Sequence, residues 1–234
     1  MMKYIFLLLL FFFLSNNSSI AQNKEESAWI SLSSNYKFSA KWGAYLDVQI
    51  RSSDHWSYLR QVIIRPGIAY HFNKNQTSIV GYSRSDNYVQ TAGFPNNHTI
   101  ENRFWEQFAQ QHKIKKLFVT QRVRLEQRFL EVNEKVVYSQ RFRYYTRFLL
   151  PLKKYDVKFE QGPYLAAQNE IYLNIQNKEK MNNHLVDQNR TNLIVGNRFN
   201  SNLDIELSFL NQYVVGLKTN TINRVAQLGV ITRF

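Results

Sequence analysis

The sequence predicts an all-β protein, a transmembrane antiparallel up-and-down β-barrel of ten to twelve strands. Three observations predict it. The chain opens on an export-type segment, MMKYIFLLLLFFFLSNNSSIAQ. The remainder divides into segments of about 11–15 residues in which oily and polar positions alternate, separated by polar linkers. Beyond Leu14 no apolar run approaches the roughly 20 residues that a membrane helix needs.

In the export segment Lys3 supplies a positive start and Tyr4 to Leu14 are unbroken apolar residues, too few to span a bilayer. Ser19 and Ala21 are the small residues of a cleavage site. Residues 1–21 therefore read as a cleaved signal peptide, and 22–234 as one barrel domain. The chain carries 30 Lys+Arg against 17 Asp+Glu, and cleavage would remove Lys3 and no acid. Basic balance often marks nucleic-acid binding. An export signal redirects it toward anionic lipid, lipopolysaccharide phosphates, acidic solutes or the protein's own carboxylates. There is no Cys, so neither a lipid-bearing Cys nor a disulfide is available.

The segments follow in order. Trp42, Ala44, Leu46, Val48 and Ile50 fall on one face, with Gly43, Tyr45, Asp47, Gln49 and Arg51 on the other. This is the period of two that a strand between oil and water requires. Ile64, Ile68 and Phe72 likewise oppose Gln61, Arg65 and His71. Val123, Leu125 and Phe129 oppose Arg122, Arg124, Glu126 and Arg128. Phe142, Tyr144, Phe148 and Leu150 oppose Arg141, Arg143 and Arg147. Leu203, Ile205, Leu207 and Phe209 oppose Asp204, Glu206 and Ser208, and the last segment sets Ala226, Leu228 and Val230 against Gln227 and Gly229. Residues 101–130 also allow a helix, because Val119 with Val123 and Leu125 with Phe129 are spaced i,i+4. Alternation and β-branched and aromatic content favour strand.

Segment length identifies the solvent on the oily side. Soluble sandwich strands usually have about 5–6 residues. A 13-residue strand extends roughly 43 Å and, tilted near 40°, covers about 33 Å of bilayer. A closed barrel follows, since lipid tolerates no unpaired sheet edge. The final Phe234, on an alternating strand, resembles the terminal aromatic that the outer-membrane barrel assembly machinery reads. The expected location is the bacterial outer membrane, with its lipid and lipopolysaccharide as partners. Linkers such as 38–41, 72–76, 113–116, 151–154 and 199–202 are short, whereas 85–100 and 174–184 are long and Asn-rich. Short turns belong in the periplasm and long loops outside, and this alternation is expected throughout. Eleven segments are visible from Trp29 onward. Bacterial single-chain barrels normally have even strand numbers, so ten or twelve is expected: either Trp29–Phe38 is not a full barrel strand, or a break is concealed in 155–175.

RLEQRF (124–129), RFRYYTRF (141–148), NEIYLN (169–174), DQNR (187–190) and LNQY (210–213) occur in that order. The ordered set resembles an uncharacterised family of exported bacterial proteins, domain of unknown function 2490, along nearly all of Trp29 to Phe234. The resemblance implies an outer-membrane barrel and no particular activity. Tyr145 interrupts the family's run of alternate arginines.

The expected lumen carries Arg122, Arg124, Arg128, Arg141, Arg143, Arg147, Arg190 and Arg198, with Asp47, Glu126, Glu160, Glu170, Asp204 and Glu206. Either hairpin register sets Arg124 opposite Arg141 or Arg143, and like charges placed so repel. One solution is a salt-bridge network in which Glu126, Glu160, Glu170 and Glu206 reach the arginines and fill the interior. The other is a path or pocket for anionic solutes, resting on Arg124, Arg141, Arg143 and Arg190. A non-enzymatic role, structural or passing small anionic solutes, is the leading expectation. A lipid-acting acyl hydrolase or transferase is the alternative, with Ser53, Asp54 and His55 in one linker and His184 near Asp187. No metal-ligand spacing and no cofactor motif stands out. Asp187, Arg190 and Glu170 flank the 174–184 loop, where they either pin it by a charge-assisted bond or only pair across neighbouring strands.

Overall fold

The computed structural model describes residues 22–90, 97–132, 135–153 and 158–234; the export segment lies outside them. Eleven strands form among the described residues: β1 (Gln22–Lys37), β2 (Trp42–Ser52), β3 (Leu59–His71), β4 (Gln76–Val89), β5 (Asn97–Ile114), β6 (Leu117–Val132), β7 (Lys135–Pro151), β8 (Gly162–Gln176), β9 (Val186–Asn200), β10 (Leu203–Val214) and β11 (Asn220–Arg233). Each pairs antiparallel with the next, and the sheet closes on itself. The only helical pieces described are single 3-10 turns at Asp54–Trp56 and Lys178–Lys180. The helical option for 101–130 is resolved as β5 and β6, and among the described residues no helix is long and apolar enough to cross a membrane.

The eleven visible segments are eleven strands, and the expectation of an even number fails. The reason lies in the seam. β1 pairs with β11 in parallel, from Gln22 opposite Asn220 to Asn35 opposite Arg233. Parallel pairing satisfies every ladder group and is only slightly weaker than antiparallel. The first strand is complete, so no twelfth is needed. No further strand is concealed in 155–175 among the described residues, which hold only β8 there. β8 begins at Gly162, whose φ of +125° is accessible to Gly and strained for other residues, followed by Pro163.

The alternation of linker lengths also fails in two places. β6 and β7 are separated by only two residues at the loop end, whereas the β7–β8 connection at the turn end runs from 152 to 161. Its described end, 158–161, turns Phe159 inward. Phe159 is buried with Leu149, Tyr164, Ala166 and Ile194, and its carbonyl accepts a bond from Arg198 at 2.6 Å.

Side-chain alternation sets the two faces. Ile68, Val195 and Leu207 are more than half exposed on the outside, while their neighbours Ala69, Ile194 and Glu206 are buried inside. An eight-stranded barrel is just filled by ordinary side chains. Eleven strands leave a wider bore, and long arginines and aromatics occupy it. Trp105 lies across two small residues, Gly67 and Gly81, which face each other in the sheet. A Cβ on Gly81 would stand 2.4 Å from both the Trp105 ring and the Pro66 carbonyl oxygen. We expect Gly81→Val to destabilise the barrel by about 1–3 kcal/mol through overpacking. The measurement is a lower urea midpoint for refolded protein at unchanged urea dependence.

Candidate functional site

The densest chemistry is a belt of paired charges across the middle of the interior. β6 and β7 meet with Arg124 directly opposite Arg143 and Glu126 opposite Arg141. Glu126 is 1% exposed. It accepts bonds from Arg141 at 2.7 and 2.9 Å and from Arg143 at 2.5 Å, with Arg124 at 3.8 Å. Glu170 on β8 accepts from Arg143 at 2.8 and 3.0 Å, from Arg122 at 2.6 Å and from the Tyr172 hydroxyl at 2.8 Å. The repulsion written into the β6–β7 register is thus cancelled by carboxylates on the same and the next strand.

Other pairs extend the belt. Arg147 on β7 reaches Glu206 on β10, three strands away, at 2.5 Å, and the Tyr164 hydroxyl donates to the same carboxylate. Asp204 binds Arg198 and Arg233 at 2.6–3.1 Å. Glu101 holds Arg103 and Arg128, and Asp47 holds Arg65 at 2.6 Å. Tyr45 on β2 meets Trp105 on β5 edge-on at 5.9 Å, and Arg124 stacks 4.4 Å from Trp105. Contacts that skip two or three strands can form only through the bore.

The structure brings Arg122, Arg124, Glu126, Arg128, Arg141, Arg143, Arg147, Glu170, Arg190, Arg198, Asp204 and Glu206 together inside the barrel. Glu160 is the exception. It is exposed in the connection before β8 and makes no ion pair among the described residues. Its chain segment turns Phe159 inward, which leaves Glu160 facing out. Asp187 pairs with Arg141 at 2.7 Å rather than pinning the loop through Arg190. Tyr145 lies opposite Arg122, stacked 4.4 Å from its guanidinium, with its hydroxyl donating to Gln168. A ring at this position accommodates a neighbouring cation that another arginine would repel.

Sequence reasoning missed Glu101 and Arg103. Their segment puts Trp105 on the inner face, so polarity and inwardness do not coincide along it. Arg51 and Arg65 had been placed on polar faces but not recognised as part of the interior cluster.

Between the belt and the ends lie two cavities. One of about 510 Å³ opens toward the loop end and includes Arg51, Arg103, Arg141 and Arg190 in its wall. The other, about 200 Å³, lies toward the turn end beside Asp47, Arg122, Tyr145 and Glu206. Trp29, Arg65, Arg143 and Arg190 border both.

The acyl-transfer residues do not assemble. Ser53 bonds Ser57 at 2.9 Å, and the exposed His55 ring pairs with Asp54 at 2.9 Å. Asp54 also accepts the Glu26 backbone N–H at 2.7 Å, which holds its carboxyl below the usual range. This linker fastens the start of β1. Asp187 is engaged with Arg141, and among the described residues no bond from it orients His184. Among the described residues no group of three or more His, Asp or Glu side chains is placed to hold a metal ion.

A family model described as "Protein of unknown function (DUF2490)" matches residues 26–223. No curated protein and no solved structure matches the chain.

Glu126→Gln keeps shape and removes the charge shared by Arg124, Arg141 and Arg143. Leaving buried cations without their partner costs about 3–5 kcal/mol. We expect a drop of that order in urea unfolding, against almost none for Glu179→Gln in the exposed turn after β8.

Proposed function

The chain belongs to the DUF2490 family, and from that premise we propose that it is a non-enzymatic bacterial outer-membrane barrel whose lumen is sealed at rest. Its oily face meets outer-membrane lipid and lipopolysaccharide, and the assembly machinery inserts it. The observation that carries the reading is the combination of two oppositely solvated faces. Large aliphatic side chains cover the exterior of strands 11–18 residues long, while the paired charges lie inside. Such strands are long enough for a bilayer. In a soluble protein the same exterior would be a very large exposed apolar surface.

The bonds that cross the bore support the sealed reading. Arg147–Glu206 and Arg141–Asp187 bridge non-neighbouring strands, and Trp29, Arg143 and Arg190 stand between the two cavities. Passage of even a hydrated ion requires several of these desolvated pairs to part together. A narrow anion path is the second reading, favoured by the excess of interior arginine over carboxylate.

Planar-bilayer recording separates the two. We expect purified protein to insert without steady conductance, and Arg143→Ala combined with Glu170→Ala and Tyr172→Ala to conduct. Steady, anion-selective current through the unaltered protein would favour the path instead. Membrane insertion itself is tested on the exterior. Leu207→Arg is expected to cost about 2–4 kcal/mol of bilayer stability, measured by reversible unfolding from lipid vesicles, while leaving detergent-free solubility no better.

A further inference from the structure

Two interior arginines have no carboxylate within ion-pair distance among the described residues, and both border the loop-end cavity. Arg51, 7% exposed, bonds only the amide oxygens of Gln61 and Gln49, at 2.8 and 2.5 Å. Its Nε has no hydrogen-bond partner. Arg190 donates to Gln188 at 3.2 Å. Its cross-strand neighbour Glu170 is already engaged by Arg122, Arg143 and Tyr172.

Trp29 draws the two cations together. The Arg51 guanidinium lies 4.0 Å from its ring centre, and that of Arg190 lies 5.1 Å away. Cation–π contact with the ring holds each guanidinium in place. Two like charges gathered around one ring repel each other. Neutral amides supply hydrogen bonds but no compensating charge. The carboxylates around the same cavity are committed elsewhere: Glu25 to Arg60, Glu101 to Arg103 and Arg128, and Asp187 to Arg141. The volume of about 510 Å³ is that of a small-molecule site.

We propose that this cavity binds a small phosphorylated solute entering from the loop end, with its phosphate between Arg51 and Arg190 beside Trp29. The phosphate supplies the two negative charges that the pair lacks, and guanidinium groups match its oxygens by paired hydrogen bonds. Tyr172, stacked 4.9 Å from Arg190, adds an aromatic wall for the rest of the solute. This goes beyond the sealed-barrel reading, which stands whether or not the cavity takes a ligand. Conductance tests that reading, and anion titration tests this one.

The test titrates detergent-solubilised, full-length protein with inorganic pyrophosphate and orthophosphate, following tryptophan emission. A third arm uses lipopolysaccharide micelles, whose phosphates share the chemistry. We expect saturable binding of pyrophosphate, weakened at least tenfold by Arg51→Gln and by Arg190→Gln and partly restored by Arg190→Lys. The exposed Arg84→Gln serves as the unaffected control. Heat-modifiable gel migration confirms that each variant is folded, and the Arg190 pair of variants suffices if Arg51→Gln does not fold. Absence of saturable binding, or equal binding by folded Gln variants, would overturn the proposal. So would a response to lipopolysaccharide alone, which would assign the phosphate to lipid.

Discussion

One carboxylate shared among guanidinium groups governs the interior. Arg124 and Arg143 face each other across β6 and β7, a placement that would push the hairpin apart if nothing intervened. Glu126 intervenes from the next inward position and binds Arg141 and Arg143 at once. Because all of these groups are buried, their attraction is strong only with near-complete hydrogen bonding, and the loss of one member exposes the full desolvation penalty of the rest. The network therefore specifies register as well as charge. A slip of one residue would turn the arginines outward and bring Val123, Leu125 and Phe142 inside.

The same constraint explains the bore. Salt bridges alone would leave gaps in a barrel of this circumference, so flat rings complete the filling. Trp105 settles over glycines, Tyr172 backs Arg141, Arg143 and Arg190, and Tyr145 separates Arg122 from its neighbours. At the turn end, Phe159 supplies an apolar stopper from a connection rather than from a strand. Charge and packing are thus not alternatives here. Arg122, Arg124, Arg141, Arg143 and Arg190 are each held at the edge by oxygen and on the face by an aromatic ring.

Much of this was legible in the chain. Period-two alternation in 42–51 and 141–148 gave the faces because Leu46, Ile50, Tyr144 and Phe148 meet the outside while Asp47, Arg51, Arg141 and Arg143 lie inside. It was silent where an interior position is itself apolar, as with Ile63, Trp105 and Ile194. Glu160 looks like an interior acid within the run 155–175, whereas the strand begins only at Gly162 and Glu160 lies exposed before it. Ion-pair partners two or three strands apart, such as Arg147 and Glu206, depend on barrel curvature, which no local pattern encodes. The strand number was visible as eleven and was discounted by a rule about other barrels.

The parallel seam has a geometric consequence of its own. Gln22 and Arg233 lie at opposite rims, a full strand length apart, although β1 and β11 are neighbours. An antiparallel closure would let a few residues join the two and permit the chain to be re-cut elsewhere. Here a covalent bridge would have to travel the whole height of the wall, and the occupied interior leaves it only the greasy outer surface. The order in which the strands follow one another is consequently locked by geometry, not merely by ancestry.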